Sequence, residues 1–487
     1  MKYKNFLFIL SIIILINSIY SSDPNSNKEE LKALIKDKDV LRAKENILKY
    51  KWAQHMEKSL ISNANSKLKT FTDDYIKNMI SEITPSTSTI CPNCVKKGFI
   101  LSSRGDWEWN LNNPDKIKCR VCGMEFPNDE YKETIKRISN WNSTQVISYV
   151  DMEDQICINY NHCKSTISGV IRGNKLLYMI ASLDNIAYAY QLTKNVDYAN
   201  LIKKVFNRLA SVLPSYLIFA GYIYNEYADC DPKYVAENIQ NLTKDPTQNC
   251  RMLKSYEIEE NPKELYTGYW TASRLGTNGR DGTYAYYLAI AYDLIKETCN
   301  NDERNNYEKN ILEQVAYLGI NDDSINNKAV DNIKGVAFVG LAINNIKYIK
   351  FGLNQFIKTI DNWFLKDGGT SETAAYGIQT ILGLNELGYA FKNYSDPEDY
   401  IPPEGEIKLK NFDCMVDTRY YESFQYLIWA TCGNYYFPSI ADSYNTTKVS
   451  NKIIEFINYA KPVEKEYLNE KMTDLSPNYF SLFFLEF

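Results

Sequence analysis

The sequence predicts a mainly α-helical fold built from antiparallel helix pairs, and three observations support this. Apolar residues recur at helical spacing through most of the 487 residues. Almost no segment alternates apolar and polar residues as a half-buried strand does. The periodic segments are short and are separated by polar loops. Successive helices must therefore bury their apolar faces against neighbours, as a bundle, a solenoid or a closed ring, and periodicity does not choose between these.

The first 22 residues have the pattern of a secretory signal peptide. Two lysines form a basic start, residues 6–16 are apolar except for one serine, and serines 21 and 22 offer a cleavage site. The apolar run is too short to span a bilayer stably, which disfavours the alternative of a signal anchor. We therefore expect a secreted or secretory-lumen glycoprotein without a membrane span in the mature chain. Four sequons offer glycan sites, at Asn142, Asn241, Asn393 and Asn445.

Composition disfavours nucleic acid as a partner. The chain has 55 basic and 60 acidic residues and no basic run. Its 39 tyrosines would suit a sugar-binding cleft, but the chain is also rich in Asn, Ile and Lys. A general compositional bias therefore explains the tyrosines at least as well.

The periodicity divides the mature chain into four regions. Residues 23–83 form an N-terminal helical segment, and residues 84–131 break the pattern with Pro, Gly, Cys and Trp in an insert too small for its own core. Residues 132–400 are again helical. Within them we expect helices over 284–296, 306–319, 329–346, 353–364 and 374–391. Residues 401–487 are mixed, with aromatic runs that suit either strands or helices.

Four cysteines in the insert form two C-x-x-C knuckles, Cys91 with Cys94 and Cys119 with Cys122. Two such knuckles can supply four thiolates to one tetrahedral ion, and a closed shell of this kind predicts a structural zinc. Two disulfides are the alternative, since an oxidising compartment favours them. Among the other cysteines, the near pairs are Cys157 with Cys163, Cys230 with Cys250, and Cys414 with Cys432, which leaves Cys299 odd.

From the knuckles onward the chain resembles the heparinase II/III-like and alginate-lyase-like polysaccharide lyases. The knuckles with Trp107-Glu-Trp109 resemble the insert of these proteins. Ile186-Ala-Tyr-Ala-Tyr190-Gln-Leu-Thr193, Ala289-Ile-Ala-Tyr292-Asp293, Asp367-Gly368-Gly-Thr-Ser-Glu372-Thr-Ala-Ala-Tyr376 and Pro438-Ser-Ile-Ala-Asp442-Ser443 then resemble later family elements in the same order. The resemblance implies an (α/α) toroid followed by a β-sandwich, and β-elimination from an acidic, uronic-acid-containing polysaccharide.

Two departures from the family pattern affect these expectations. Where the family commonly has an Asn-His pair, this chain has Asn326-Asn327-Lys328. Only residues 401–487 remain for the sandwich, so we expect it to be truncated or reduced. The two histidines, His55 and His162, lie away from every motif.

The resemblance implies Tyr376, Asn327 and Glu372 as catalytic residues. Elimination needs a base for the C5 proton, an acid for the C4 oxygen and a donor to the substrate carboxylate. Tyr376 would transfer the proton, and Glu372 would orient it from one helical turn away. Asn327 would donate to the carboxylate as negative charge develops. Substrate binding would fall to Asn326, Arg274 and Arg280, since arginine binds carboxylates in a bidentate manner.

Each of these residues also has a structural interpretation. Tyr376 could be a packed core ring, the two asparagines could precede and cap a helix, and the arginines could be ordinary surface charges. Two other function classes stay open: a non-catalytic glycan-binding protein, and a toroidal glycoside hydrolase with two carboxylates flanking the scissile bond. Unsaturated products would identify a lyase, and reducing ends without unsaturation a hydrolase.

Overall fold

The computed structural model describes residues 32–99, 105–152, 156–157, 160–161, 164–219, 226–242, 250–253, 272–276, 280–370, 372–431, 436–439 and 479–484. The predicted signal peptide lies outside these residues. So do His162, Cys163, Cys432, Asn445 and the segment 440–478.

The helices are α1 Asp37–Lys49, α2 Lys51–Thr70, α3 Asp73–Met79, α4 Pro92–Lys96, α5 Ile167–Ile180, α6 Leu183–Thr193, α7 Val196–Val212, α8 Pro232–Leu242, α9 Arg280–Ile295, α10 Asn301–Tyr307, α11 Glu313–Gly319, α12 Val330–Ile343, α13 Ile346–Asn362, α14 Thr373–Ala390, α15 Cys414–Asp417, α16 Tyr420–Trp429 and α17 Tyr479–Phe484. The strands are β1 Trp107–Trp109, β2 Ile117–Cys119, β3 Glu125–Phe126, β4 Ile135–Ile138, β5 Val146–Tyr149, β6 Ile156–Cys157, β7 Tyr160–Asn161, β8 Ile218–Phe219, β9 Tyr227–Asp229 and β10 Arg251–Leu253. The prediction of a mainly helical fold is confirmed.

Four helices, α6, α9, α12 and α14, pack against one another in that order. Gly282 of α9 meets Gly335 of α12, and one turn further along both helices Tyr286 meets Phe338. Contacts therefore advance in the same direction along both helices, which run parallel. The contacts between α12 and α14 advance in the same way: Asn327 with Gln379, Val330 with Gly383, and Lys334 with Glu386.

The helix that follows α12 packs back against it in the opposite direction. Gly340 lies against Ile349 of α13, whereas the earlier Ala337 lies against the later Gly352. The turn between the two helices places Asn344 in the left-handed conformation at the end of α12, and the Asn345 side chain accepts from the first N–H groups of α13. Lys194 and Asn195 repeat this arrangement between α6 and α7.

A row of parallel helices backed by antiparallel partners excludes an up-and-down bundle, in which neighbouring helices alternate in direction. It is the arrangement of a solenoid or of an (α/α) ring. Closure into a toroid stays a prediction. Among the described residues, no helix combines the length and the apolar character needed to cross a bilayer.

Four small sheets lie outside this row among the described residues, two of three strands and two of two strands, and the sequence pattern did not predict β8, β9 and β10. They form an antiparallel sheet in the order β10-β9-β8, next to α8. Strands β8 and β9 are buried on both faces and β10 is buried except for Arg251, so they show no alternation that would separate them from a helix. In the insert, β1, β2 and β3 form a second sheet whose core includes Ile167 and Val170 of α5. The expectation that the insert lacks an independent core is consistent with this packing.

The expected reduced β-sandwich falls largely on residues 440–478, which lie outside the described part of the chain, so it stays a prediction. The first aromatic run of the C-terminal region is the helix α16, and the described part of residues 401–487 contains helices α15, α16 and α17 but no sheet. Helix α17 packs on α1 near the N-terminus of the described chain, with Phe483 against Tyr188 of α6.

Candidate functional site

The two cysteine knuckles come together in one cluster. The Sγ atoms of Cys91, Cys94, Cys119 and Cys122 all lie within 4.8 Å of one another. All four are free thiols, so the alternative of two disulfides does not hold. Cys230 and Cys250 do form a disulfide, whereas Cys414 is free and its expected bond to Cys432 is wrong.

Local backbone structure sets the position of each knuckle. Pro92 begins α4 directly after Cys91, which turns the chain so that Cys94 faces the same point. The second knuckle ends at Gly123, whose φ of +75° is one that a residue with a side chain rarely adopts. This turn lets the Gly123 N–H donate to the carbonyl of Cys119 over 2.8 Å. A set of four clustered thiols is compatible with a structural metal.

Two of the predicted lyase residues lie where α12 begins, and they differ in what they contact. Asn326 stabilises the turn before the helix: its Oδ1 accepts from the N–H groups of Lys328 and Ala329 at 2.8 and 3.0 Å, and Ala329 is the N-cap residue. Asn327 is buried, and its Nδ2 donates to Oε1 of Gln379 on α14 over 3.3 Å. Asn327 thus lies against the helix that carries Tyr376.

Tyr376 is half-buried in the first turn of α14, one turn before Gln379. Glu372 occupies the N-cap position of the same helix, and its Oε2 is buried without a hydrogen-bond partner among the described residues. A buried carboxylate oxygen of this kind favours an external donor, because burial without a hydrogen bond is costly. Tyr376, Glu372 and Asn327 therefore share one end of neighbouring parallel helices.

The two arginines that were predicted to bind substrate lie in different environments. Arg280 is exposed at the start of α9, so it lies at the same end of the row as Asn327 and Tyr376. Arg274 is only 2% exposed, and its Nη2 donates to the carbonyls of residues 213, 214 and 216. Its Nη1 donates to Gln314. A guanidinium committed to these groups cannot bind a substrate carboxylate, so the assignment of Arg274 to substrate binding is corrected to a structural role.

Further along the row, the four helices bring together a group of polar side chains that the sequence pattern did not predict. This polar centre consists of Tyr188 of α6, Tyr286 and Tyr287 of α9, Lys334 of α12 and Glu386 of α14. Lys334 Nζ lies 3.4 Å from the Glu386 carboxylate and 4.2 Å from the centre of the Tyr286 ring. Burial raises the pKa of Tyr188 well above its ordinary value, and the carboxylates of Asp184 and Glu386 raise it further. The Glu386 carboxylate of α14 is thus close enough to Tyr188 of α6 to act on its pKa, although the two helices are not neighbours in the row.

Lys334 stays charged at this centre. Burial lowers the pKa of its ammonium group, but the carboxylates of Glu386 and Asp331 outweigh burial and hold the pKa above its ordinary value. Asp331 also accepts from the Thr283 hydroxyl over 3.2 Å, which joins α9 to α12.

Asp184, in the first turn of α6, adds a second unusual carboxyl group. Burial raises its pKa to about 7, against the opposing hydrogen bond from the Asn185 N–H. The side chain is only partly exposed, and it is close enough to Tyr287 to raise the pKa of that phenol. Asp184 therefore holds a proton near neutral pH.

The sequence contains a pattern that corresponds to the polar centre, but patterns of this kind are common in helical proteins. Thr283, Tyr286 and Tyr287 recur at helical spacing, as do Asn327, Asp331 and Lys334. A polar stripe of this kind usually marks a solvated face, and only the packing of the four helices turns it inward. A scan against models of known protein families and a search of curated proteins found no match to this sequence.

Proposed function

We propose that this protein is a secreted lyase that cleaves a uronic-acid-containing polysaccharide by β-elimination. The observation that carries the proposal is the gathering of Arg280, Asn327 and Tyr376 at one end of the parallel helix row. The helix N-termini at this end add partial positive charge, which favours an anionic substrate. The half-buried position of Tyr376 leaves part of its ring accessible.

Each residue has a defined role in this proposal. Tyr376, as the phenolate, takes the C5 proton of the uronide, and the electron pair forms the C4–C5 double bond as the C4–O bond breaks. The phenol then returns a proton to the leaving oxygen on the same face. Asn327 donates from its amide to the substrate carboxylate, which stabilises the charge that develops next to C5. Arg280 binds a carboxylate of the same or a neighbouring sugar.

Glu372 orients the reacting groups. Its unpartnered Oε2 accepts a hydrogen bond from the bound sugar, and its position one turn before Tyr376 keeps that sugar beside the phenol.

We further propose that the metal of the cysteine cluster is zinc. Sulfur atoms bound to one zinc at about 2.3 Å are roughly 3.8 Å apart in a tetrahedron. The Sγ atoms of Cys91 and Cys122 are 3.7 Å apart, and those of Cys94 and Cys119 are 3.5 Å apart. Four thiolates leave no position for substrate, so the ion would stabilise the insert and take no part in elimination. The Cys230–Cys250 disulfide supports secretion, since such bonds persist in oxidising compartments.

The test of the elimination proposal is an ultraviolet assay for unsaturated ends across a panel of uronic-acid polymers, including alginate, polygalacturonate and hyaluronan. At least one polymer should yield a conjugated product, and its yield should fall in the Asn327→Ala variant. Asn326→Ala is the matched control, since the Asn326 side chain accepts from backbone N–H groups in the turn before α12 and should affect stability more than turnover. No product from any polymer would contradict the proposal.

One observation favours a second candidate, a glycoside hydrolase. Such an enzyme needs a protonated carboxyl group as acid and a second carboxylate as base or nucleophile. Burial raises the pKa of Asp184 to about 7, as the acid requires, and Asp331 also lies close enough to Tyr287 to raise the pKa of that phenol. New reducing ends without unsaturation, lost in Asp184→Asn but retained in Tyr376→Phe, would identify this activity.

A further inference from the structure

A pocket of about 600 Å³ lies on the small sheet next to α8, outside the helix row. It is lined by Asn140, Trp141, Asp229, Asp231, Tyr234 and Arg251, together with the disulfide cysteine Cys230. We propose that this pocket binds a neutral saccharide unit. The proposal is independent of the elimination activity proposed above.

The pocket has two accessible aromatic rings. Trp141 is 36% exposed and Tyr234 is 39% exposed, although large rings are usually more deeply buried in a fold of this size. A sugar ring presents a face of C–H groups with partial positive charge, which matches the negative face of an aromatic ring. The hydroxyl groups at its edge need hydrogen-bond partners, and the exposed side chains of Asn140, Asp231 and Arg251 supply both donors and acceptors.

The wall that carries Trp141 is fixed by one buried carboxylate. Asp229 accepts from the Ser139 hydroxyl at 2.5 Å and from the N–H groups of Asn140 and Trp141 at 3.1 and 3.3 Å. The next residue, Cys230, is joined to Cys250, and β9 pairs with β10 so that Asp229 lies opposite Arg251. The Asp231 side chain caps the helix that carries Tyr234 by accepting from the Lys233 N–H over 2.8 Å. Such a preorganised site loses little conformational entropy on binding.

The charges of the pocket favour a neutral sugar. Asp229 is buried and occupied by three donors, so it is not offered to a ligand. The remaining charges, Asp231 and Arg251, have opposite signs and offset each other. An acidic sugar would gain from Arg251 but would be repelled by Asp231.

A neutral saccharide could reach this pocket from two sources. One is a free oligosaccharide. The other is the chain's own N-linked glycan, because Asn142 follows Trp141 directly and begins a sequon. Asn142 Oδ1 accepts from the N–H and the hydroxyl of Thr144 at 3.1 and 2.8 Å. These hydrogen bonds use the side-chain oxygen of Asn142, whereas an N-linked glycan would be attached at its side-chain nitrogen.

The experiment is a ligand-observed NMR titration of the full-length secreted protein with N,N′-diacetylchitobiose and mannotriose, with an oligoguluronate as the acidic probe. The wild type and the Asn142→Gln variant are compared. At least one neutral probe should bind, and Trp141→Ala and Tyr234→Ala should each weaken binding roughly tenfold, while Trp141→Phe should keep most of it. Trp429→Ala is the control, since Trp429 is 64% exposed and does not line this pocket.

The outcomes separate the two sources. Binding that appears only in Asn142→Gln identifies the chain's own glycan as the occupant, and equal binding in both proteins identifies a free oligosaccharide. The proposal is overturned if neither protein binds a neutral probe at up to about 10 mM, or if binding survives both alanine variants. Tighter binding of the oligoguluronate than of the neutral probes would overturn the neutral assignment.

Discussion

The cysteine cluster and the polar centre both bury polar groups, but they assemble them over different distances along the chain. The cluster uses two short knuckles, with Cys94 and Cys119 only 25 positions apart. The polar centre takes one or two side chains from each of four helices, from Tyr188 to Glu386. The cluster is therefore specified by local turns and, when metal is bound, by the ion, whereas the centre exists only once the row of helices has formed. Disrupting a turn should therefore damage the cysteine cluster, and disrupting helix packing should damage the polar centre.

Loss of the metal should have the largest effect, and it should stay within the insert. Metal binding to a structural four-cysteine site contributes on the order of 10 kcal/mol to the stability of the folded ligand set. We expect about one zinc per chain in elemental analysis, with zinc lost in Cys119→Ser and the melting temperature lowered. Cys299→Ser, at a buried free thiol outside the cluster, should retain the metal. Disulfides among the four cysteines in non-reducing mass spectrometry would contradict the assignment.

Substitution of Tyr376 should reduce activity without reducing stability. Tyr376→Phe keeps the ring and removes the proton-transferring oxygen, so turnover on a cleaved uronide should fall by about 10²–10⁴. Tyr389→Phe, near the opposite end of the same helix, is the matched control and should leave turnover unchanged. Turnover near that of the wild type in Tyr376→Phe would show that another residue transfers the proton.

The two regions also differ in how far the sequence predicts them. Periodicity correctly predicts the helices of the row, because their buried faces recur every three to four residues. The knuckle spacing predicts the cysteine cluster, because a C-x-x-C turn brings its own sulfur atoms together. Lys334 and Glu386 could not be paired in advance, since their contact depends on how α12 and α14 pack against each other. The burial of Arg274 was missed for the same reason: its acceptors are carbonyls of residues 213, 214 and 216, which no side-chain pattern reports.

The Lys334–Glu386 ion pair tests the polar centre directly. Lys334→Met leaves Glu386 buried without its cation, which should cost about 3–5 kcal/mol of unfolding free energy. The double variant Lys334→Met/Glu386→Gln should recover part of this loss, because no uncompensated charge remains. Denaturant titration measures the free energy of unfolding of both variants. Lys96→Met, in the exposed Lys96–Glu130 pair, should cause no measurable change. If Lys334→Met destabilises the protein as little as Lys96→Met does, Lys334 does not lie in a buried centre.

The close approach of α9 and α12 can be tested by a substitution with a smaller expected effect on stability and a closely matched control. A Cβ at Gly335 would lie 2.3 Å from the Gly282 carbonyl oxygen, so the two helices would have to separate. Gly335→Ala should therefore destabilise the protein by about 1–3 kcal/mol. Gly377→Ala in α14 is the matched control: its nearest atom would be 3.6 Å away, so helix propensity should make the change neutral or stabilising. Equal effects of the two substitutions would argue against the close crossing.

The last test concerns Asp184 and the pH dependence of stability. Burial raises the pKa of this carboxyl group from 3.8 to about 7, so between these values the folded chain binds more protons at this position than the unfolded chain. Asp184 therefore contributes stability that is fully present below about pH 4 and is lost as the pH rises through 7. Asp281 and Asp293, whose pKa burial raises to about 6, contribute with the same sign and remain in every variant.

In urea titrations between about pH 4 and pH 7, Asp184→Asn should lose less stability than the wild type as pH rises. Asp197→Asn, exposed at the matching position of α7, should follow the wild type. If the two variants have the same pH profile, Asp184 does not hold its proton in the folded protein, and the hydrolase alternative loses its acid.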